Sequence, residues 1–194
     1  MTYRDTTRHL AAMRGEIARL RNEIRKAQSA VEPEPVENYI FATTDGTTKL
    51  ADLFGDKDIL FVIHNMGASC RFCTLWADGF NGVLPHLESR AAFVVSSPDA
   101  PEKQQKFKDV RGWKFRMVSH RGNNFARDMG YMDEDNSYRP GVSVFKKAKG
   151  SVVRVSDQPL GPYDDFCSVW HFFDMLPEGA GDWAPKYTYA GEQR

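Results

Sequence analysis

Cys70-Arg71-Phe72-Cys73 sets two thiols at a spacing from which they can close on each other. The apolar run Ile59-Leu60-Phe61-Val62-Ile63 precedes the motif, and the helix-compatible stretch Thr74-Leu75-Trp76-Ala77-Asp78-Gly79-Phe80 follows it. A strand feeding a helix through C-x-x-C puts the first sulfur at the helix N-terminus, where unpaired backbone N–H groups and the helix dipole favour a thiolate. The chemistry this suits is reversible disulfide exchange. Arg71 would raise the thiolate fraction of Cys70 if its guanidinium reaches the sulfur, and would add nothing if it points into water. In a loop the same tetrapeptide would read as half of a zinc site, but that site needs a second ligand pair and no second C-x-x-C exists. His64, His86, His120, His171 and Cys167 are scattered along the chain, so no metal site is expected, and the exchange reaction requires no bound cofactor. Arg71, Phe72 and Trp76 are the neighbours placed to touch a substrate, although Trp76, one turn beyond Cys73, serves equally as core filling. Cys167 lies in the apolar stretch 166–173 and reads as a small buried hydrophobe.

The elements that must hold this motif are legible from periodicity. Leu10, Met13, Ile17, Leu20 and Ile24 recur at alternating spacings of three and four, which predicts a long helix within residues 1–30. The simplest reading of that apolar stripe is a helix docked on its own domain; the alternative is a homodimer formed through it. Pro33 and Pro35 make 31–37 an extended connector, and a main domain follows over 38–178. Asp45-Gly46, between 38–41 and 47–50, predicts a hairpin, and 51–55 a short turn into the buried strand 59–64. The helix after the motif is expected to end its first segment at Asn81-Gly82. Strands at 92–96, 114–119 and 142–145 alternate with helices at 101–110 and 125–129. A tight turn at 147–150 leads into 152–155 as an antiparallel edge pair, a last helix spans 163–176, and 179–194 is a tail. This alternation indicates an α/β fold, a mixed central sheet flanked by helices.

With 194 residues, 41% hydrophobic, the chain can bury one domain-sized core. Lys+Arg and Asp+Glu are both 26, so the basic footprint of a nucleic-acid binder is missing. The charged N-terminus lacks an apolar signal core and no run is long enough to span a membrane, so a cytoplasmic location and no membrane partner are expected. Three cysteines suit a reducing compartment better than a disulfide framework.

The order strand, C-x-x-C at a helix start, βαβ crossover, antiparallel pair and closing helix resembles the thioredoxin fold over 38–178, entered through a peroxiredoxin-like β-hairpin extension. More narrowly, Tyr39-Ile40-Phe41, Leu50-Ala51-Asp52-Leu53-Phe54, Cys70-x-x-Cys73-x-x-Trp76-Ala77-Asp78-Gly79-Phe80-Asn81-Gly82, Leu84-Pro85-His86-Leu87, Gly112-Trp113-Lys114-Phe115 and Pro140-Gly141-Val142-Ser143-Val144-Phe145 carry a second likeness. They resemble the bacterial thioredoxin-like proteins of domain-of-unknown-function family 899, over almost the whole chain. That resemblance implies a fold and a redox-type motif; the family supplies no substrate. By analogy with thioredoxins, Cys70 is the nucleophile and Cys73 the resolving thiol. The implied partners are a protein or small-molecule thiol or disulfide and a cellular dithiol reductant. Thioredoxins carry a buried acid six residues before the nucleophile, an offset that lands on His64, so a proton-shuttle role is implied there; a buried imidazole bonded to backbone is the alternative. They also place a cis-proline before the strand that faces the motif. If Pro140 were cis, backbone groups beside it would be open to an extended substrate. Peroxiredoxins place Pro seven and Thr or Ser three residues before the peroxidatic Cys. Ile63 and Gly67 stand there for Cys70, Met66 and Cys70 for Cys73, so a typical peroxiredoxin mechanism is not expected. The competing reading is a non-catalytic thioredoxin-fold module that binds or assembles.

Overall fold

The apolar run after Asp58 becomes the central strand because it is paired on both edges and covered on both faces. The computed structural model of the chain describes residues 2–190. Its strands are β1 (Glu34–Val36), β2 (Ile40–Thr43), β3 (Gly46–Lys49), β4 (Ile59–His64), β5 (Ala92–Ser97), β6 (Arg116–Ser119), β7 (Gly141–Ala148) and β8 (Ser151–Pro159). They form one sheet in the order β1-β8-β7-β4-β5-β6-β2-β3. Within it β4, β5 and β6 run parallel, and β7 lies antiparallel to β4 with Gly141 opposite His64. The helices are α1 (Tyr3–Ser29), α2 (Arg71–Arg90), α3 (Pro101–Arg111), α4 (Phe125–Asp128) and α5 (Ser168–Phe173). No described helix is long and apolar enough to cross a membrane.

Alternation along the strands divides the core in two. Leu60, Val62, Val94 and Phe145 face one layer with Phe41, Phe54, Phe125 and Tyr131. Ile63, Phe93, Val95 and Val142 face the other, with Cys73, Trp76, Phe80, Trp113 and Trp170. The C-x-x-C helix therefore packs on the Ile63 face.

Five expectations are corrected. The helix stripe is not docked: α1 has no buried residue, and its Leu10, Met13, Ile17, Leu20 and Ile24 are 39–57% exposed. The connector is partly strand, because β1 pairs antiparallel with β8, and the Glu34–Arg154 ion pair at 2.6 Å ties it down. Pro35, which lacks an N–H, is tolerated there because β1 is an edge. The turn of the β2–β3 hairpin falls one residue earlier than expected, at Thr44-Asp45, and Gly46 begins β3. Helix α2 runs through Asn81-Gly82 and Pro85 to Arg90, without the expected break. Finally, α5 holds six residues instead of the expected fourteen-residue span. The Asp164 carboxylate accepts from the N–H groups of Gly161 and Phe166, and this turn uses up the start of the span. Of the predicted tail, residues 191–194 lie outside the described residues.

Candidate active site

Cys70 is the N-cap of α2, and its sulfur accepts a hydrogen bond from the backbone N–H of Cys73 at 3.0 Å. Its carbonyl accepts from both the N–H and the hydroxyl of Thr74. The loop before it is pinned: Ala68 N–H donates to Asp99 at 2.6 Å, and Gly67 N–H to the side chain of Asn65 at 2.7 Å. Gly67 has φ +100°, and a Cβ there would lie 2.8 Å from the Asp99 carboxylate, so glycine is required by conformation and by space. Cys70 is partly exposed and Cys73 is buried.

The two thiols differ in acidity for a local reason. A hydrogen bond from the Cys73 thiol, with the N–H groups of Cys73 and Phe72, draws the Cys70 thiol down to about 7 against the opposing effect of burial. The same shared hydrogen, together with burial, pushes the Cys73 thiol strongly up. One sulfur is thus poised as a thiolate while the other keeps its proton. Arg71 is exposed, makes no hydrogen bond to either sulfur and is not among the groups that lower the Cys70 thiol. The Cys73 thiol does that work first, and the N–H groups of Cys73 and Phe72 in the opening turn of α2 add to it. Phe72 is half-buried, its ring 6.4 Å from Trp76 and 6.3 Å from Trp170. Trp76 is 2% exposed and lies behind Cys73 in the core, out of reach of a surface substrate. Cys167 is buried in the same cluster, at the N-cap of α5.

Strand alternation carries His64 away from the cysteines. Ile63 shares the Cys73 cluster, so His64 points to the opposite sheet face. There it stacks on Tyr131 at 4.0 Å and Phe125 at 5.2 Å, with Nε2 2.9 Å from the Ser143 hydroxyl. The structure gives it no path to the resolving thiol. Nor is Pro140 cis: no described peptide bond is. Its carbonyl accepts from Leu160 N–H at 3.0 Å, and the Arg139 N–H donates to Tyr131 at 2.9 Å. Those backbone groups are therefore engaged within the chain.

Other residues close the site from the far side of α2. Arg111, its side chain 6% exposed, grips Asp78 of α2 through Nε and Nη2 and donates from Nη1 to the Tyr187 carbonyl at 2.6 Å. Trp113 Nε1–H donates to the same Asp78 at 2.8 Å. Asn81 adds a second tie, accepting from Lys114 N–H at 2.8 Å. The C-terminal segment is thereby strapped back, with the Tyr187 ring 6.4 Å from Phe107. Burial and then the charge of Cys70 push the Tyr187 hydroxyl up. Its one signal in the sequence is a pair of tyrosines, Tyr187 and Tyr189, in a stretch otherwise read as tail.

A second buried histidine makes a test of the fold beside the site. His120 Nδ1 lies 2.8 Å from the Ser96 hydroxyl, and burial lowers its pKa from 6.5 to about 4. Unfolded His120 takes up a proton near 6.5, whereas the folded one refuses it until about 4. Stability present above about pH 6.5 is therefore lost as pH falls through about 4, to the extent of about 3 kcal/mol. His64 is shifted in the same direction, by burial first. Urea unfolding at pH 7 and pH 4.5 is expected to show a steeper acid loss in the wild type than in His120→Gln; parallel losses would refute the assignment.

Comparison with known proteins places this geometry. A family model described as a bacterial protein of unknown function, DUF899, matches residues 1–191. No curated protein matches the sequence. Among solved structures, peroxiredoxin Q from Xanthomonas campestris is similar with a TM-score of 0.54 at 18% identity, over 68% of this chain and 87% of that one. Peroxidoxin BcpB from Mycobacterium tuberculosis gives 0.53 at 21% identity, over 63% of this chain and 84% of that one. Reduced Prx3 from Vibrio vulnificus gives 0.57 at 10% identity, over 69% and 89%. At these identities the likeness is one of fold, thioredoxin-like with a peroxiredoxin-type extension.

Proposed function

Given that this chain belongs to the DUF899 family of bacterial proteins, we propose that it is a thiol-disulfide oxidoreductase of the cytoplasm, with Cys70 as nucleophile and Cys73 as resolving thiol. One observation carries the reading: a partly exposed sulfur that caps the N-terminus of α2, accepts the Cys73 N–H at 3.0 Å and lies beside a buried second thiol. The Cys70 thiolate attacks one sulfur of a protein or small-molecule disulfide, forms a mixed disulfide and expels the other sulfur as a thiolate. Cys73 then gives up its proton to that departing thiolate or to water and attacks Cys70. The substrate leaves as a dithiol, and two electrons have passed from the protein, which now holds the Cys70–Cys73 disulfide. A cellular dithiol then reduces the Cys70–Cys73 disulfide through a second mixed disulfide and is itself left as a disulfide, which returns both thiols. Phe72, half-buried beside Cys70, offers the apolar contact for a substrate; neither His64 nor a cis-proline takes part.

The test is equilibration in graded glutathione buffers, with alkylation and mass analysis of Cys70 and Cys73. A two-electron transition between roughly −300 and −150 mV, the span of known exchange catalysts, is expected. Failure of the disulfide to form at any poise would end the proposal.

A further inference from the structure

We propose that α1 is the dimerisation element of this protein, pairing in parallel with α1 of a second copy as a two-stranded coiled coil. The helix is 27 residues long, about 40 Å at 1.5 Å per residue, and contributes no buried side chain to its own domain. Its ties to that domain are at the C-terminal half, chiefly the Arg21–Asp165 ion pair at 2.6 Å. The helix is nonetheless built to stand: Thr2 and Asp5 form a capping box, and Arg19 pairs with both Glu16 and Glu23. A helix with one apolar face and nothing against it lacks a partner.

The spacing of the stripe says what partner. Leu10, Ile17 and Ile24 fall on one core position of a heptad, Met13, Leu20 and Ala27 on the other, with Tyr3 and Thr6 continuing the register. Ile17 and Ile24 on the first position, around Leu20 on the second, follow the pattern that favours two parallel strands. The flanking charges choose the direction. Arg14 and Arg21 line one side of the seam, and Glu16 and Glu23 the other. In a parallel pair, Glu16 of one copy meets Arg21 of the second, Glu23 meets Gln28, and His9 meets Arg14. An antiparallel pair would set Glu against Glu and Arg against Arg along both flanks. Arg21 already holds Asp165 on its own domain, so the incoming carboxylate would complete a triad around it.

The full-length protein should sediment as a dimer at tens of micromolar, and Leu20→Asp should raise the dissociation constant at least a hundredfold without moving the urea midpoint of the domain. Orientation is read by cross-linking in a Cys70→Ser background. Met13→Cys, on the seam, is expected to oxidise to a disulfide-linked dimer, whereas Asn22→Cys, on the outer face, is not. A monomer at every concentration overturns the proposal. So does a dimer in which Met13→Cys fails to link, since an antiparallel pair or a helix seated in the apolar groove lined by Phe61, Val83 and Val144 would behave in that way.

Discussion

Replacing Cys70 by Ser is expected to abolish disulfide exchange, with a fall on the order of 10³-fold or more in rate, because the hydroxyl is no nucleophile at neutral pH. Cys73→Ser should behave differently. The first attack survives, the second has no thiol to make it, and the protein accumulates as a mixed disulfide visible by mass. The wild-type pH profile follows from the same geometry. Below about pH 7 the thiolate fraction of Cys70 drops about tenfold per pH unit, so alkylation at pH 5 should run at about a hundredth of its plateau rate. Because Cys73 is pushed up, it should stay unmodified through neutral pH while Cys70 reacts. Equal labelling of the two, or a Cys70 profile centred near that of an ordinary thiol, would contradict the assigned roles. Loss of trapping in Cys73→Ser with labelling intact would separate a reactive thiol from a working pair.

Gly141→Ala is expected to be the most damaging single methyl in the chain. Gly141 opens β7 opposite His64, and an added Cβ would fall inside the ring of Tyr131. That ring has little room to retreat: it stacks on His64 at 4.0 Å, and its hydroxyl donates to Asp157 at 3.2 Å. Overpacking costs about 1–3 kcal/mol, and a group this fixed sets the cost at the upper end, about 3 kcal/mol, which for a chain of this size lowers Tm by roughly 6–12 °C. Thermal unfolding of the reduced protein gives the answer, and a shift of less than about 2 °C would refute the steric argument. In a Tyr131→Leu background the same substitution should be markedly less harmful, because the two residues are in contact and their effects do not add.

The parts of the fold that could be read from the sequence are those whose cause is local. The run 59–64, the hairpin around Asp45-Gly46 and the placement of C-x-x-C at a helix start each rest on a few adjacent residues, and the structure forms them. What escaped depends on partners far along the chain. Pro35 marks a break in sequence, yet its neighbours pair with β8 more than a hundred residues later. Asp78 and Asn81 have no visible task until Arg111, Trp113 and Lys114 arrive against α2. Tyr187 is brought back by a hydrogen bond to its own carbonyl, which no side-chain pattern announces. His64 is the instructive case. Its distance from Cys70 matched an expectation, but one extended residue separates the two sheet faces, and counting along the chain does not say which face the helix will cover.

The two edges of the sheet bear on how large an assembly can grow. One edge is β3, four residues long, and the other is β1, three residues with a proline at the centre and an ion pair at its end. Neither offers a long row of open backbone donors and acceptors on which another strand could be templated. The seam on α1, by contrast, is self-complementary and is used up when two copies meet. Association therefore closes on itself under a two-fold axis, and concentrated solutions should reach a ceiling at the pair without proceeding to filaments.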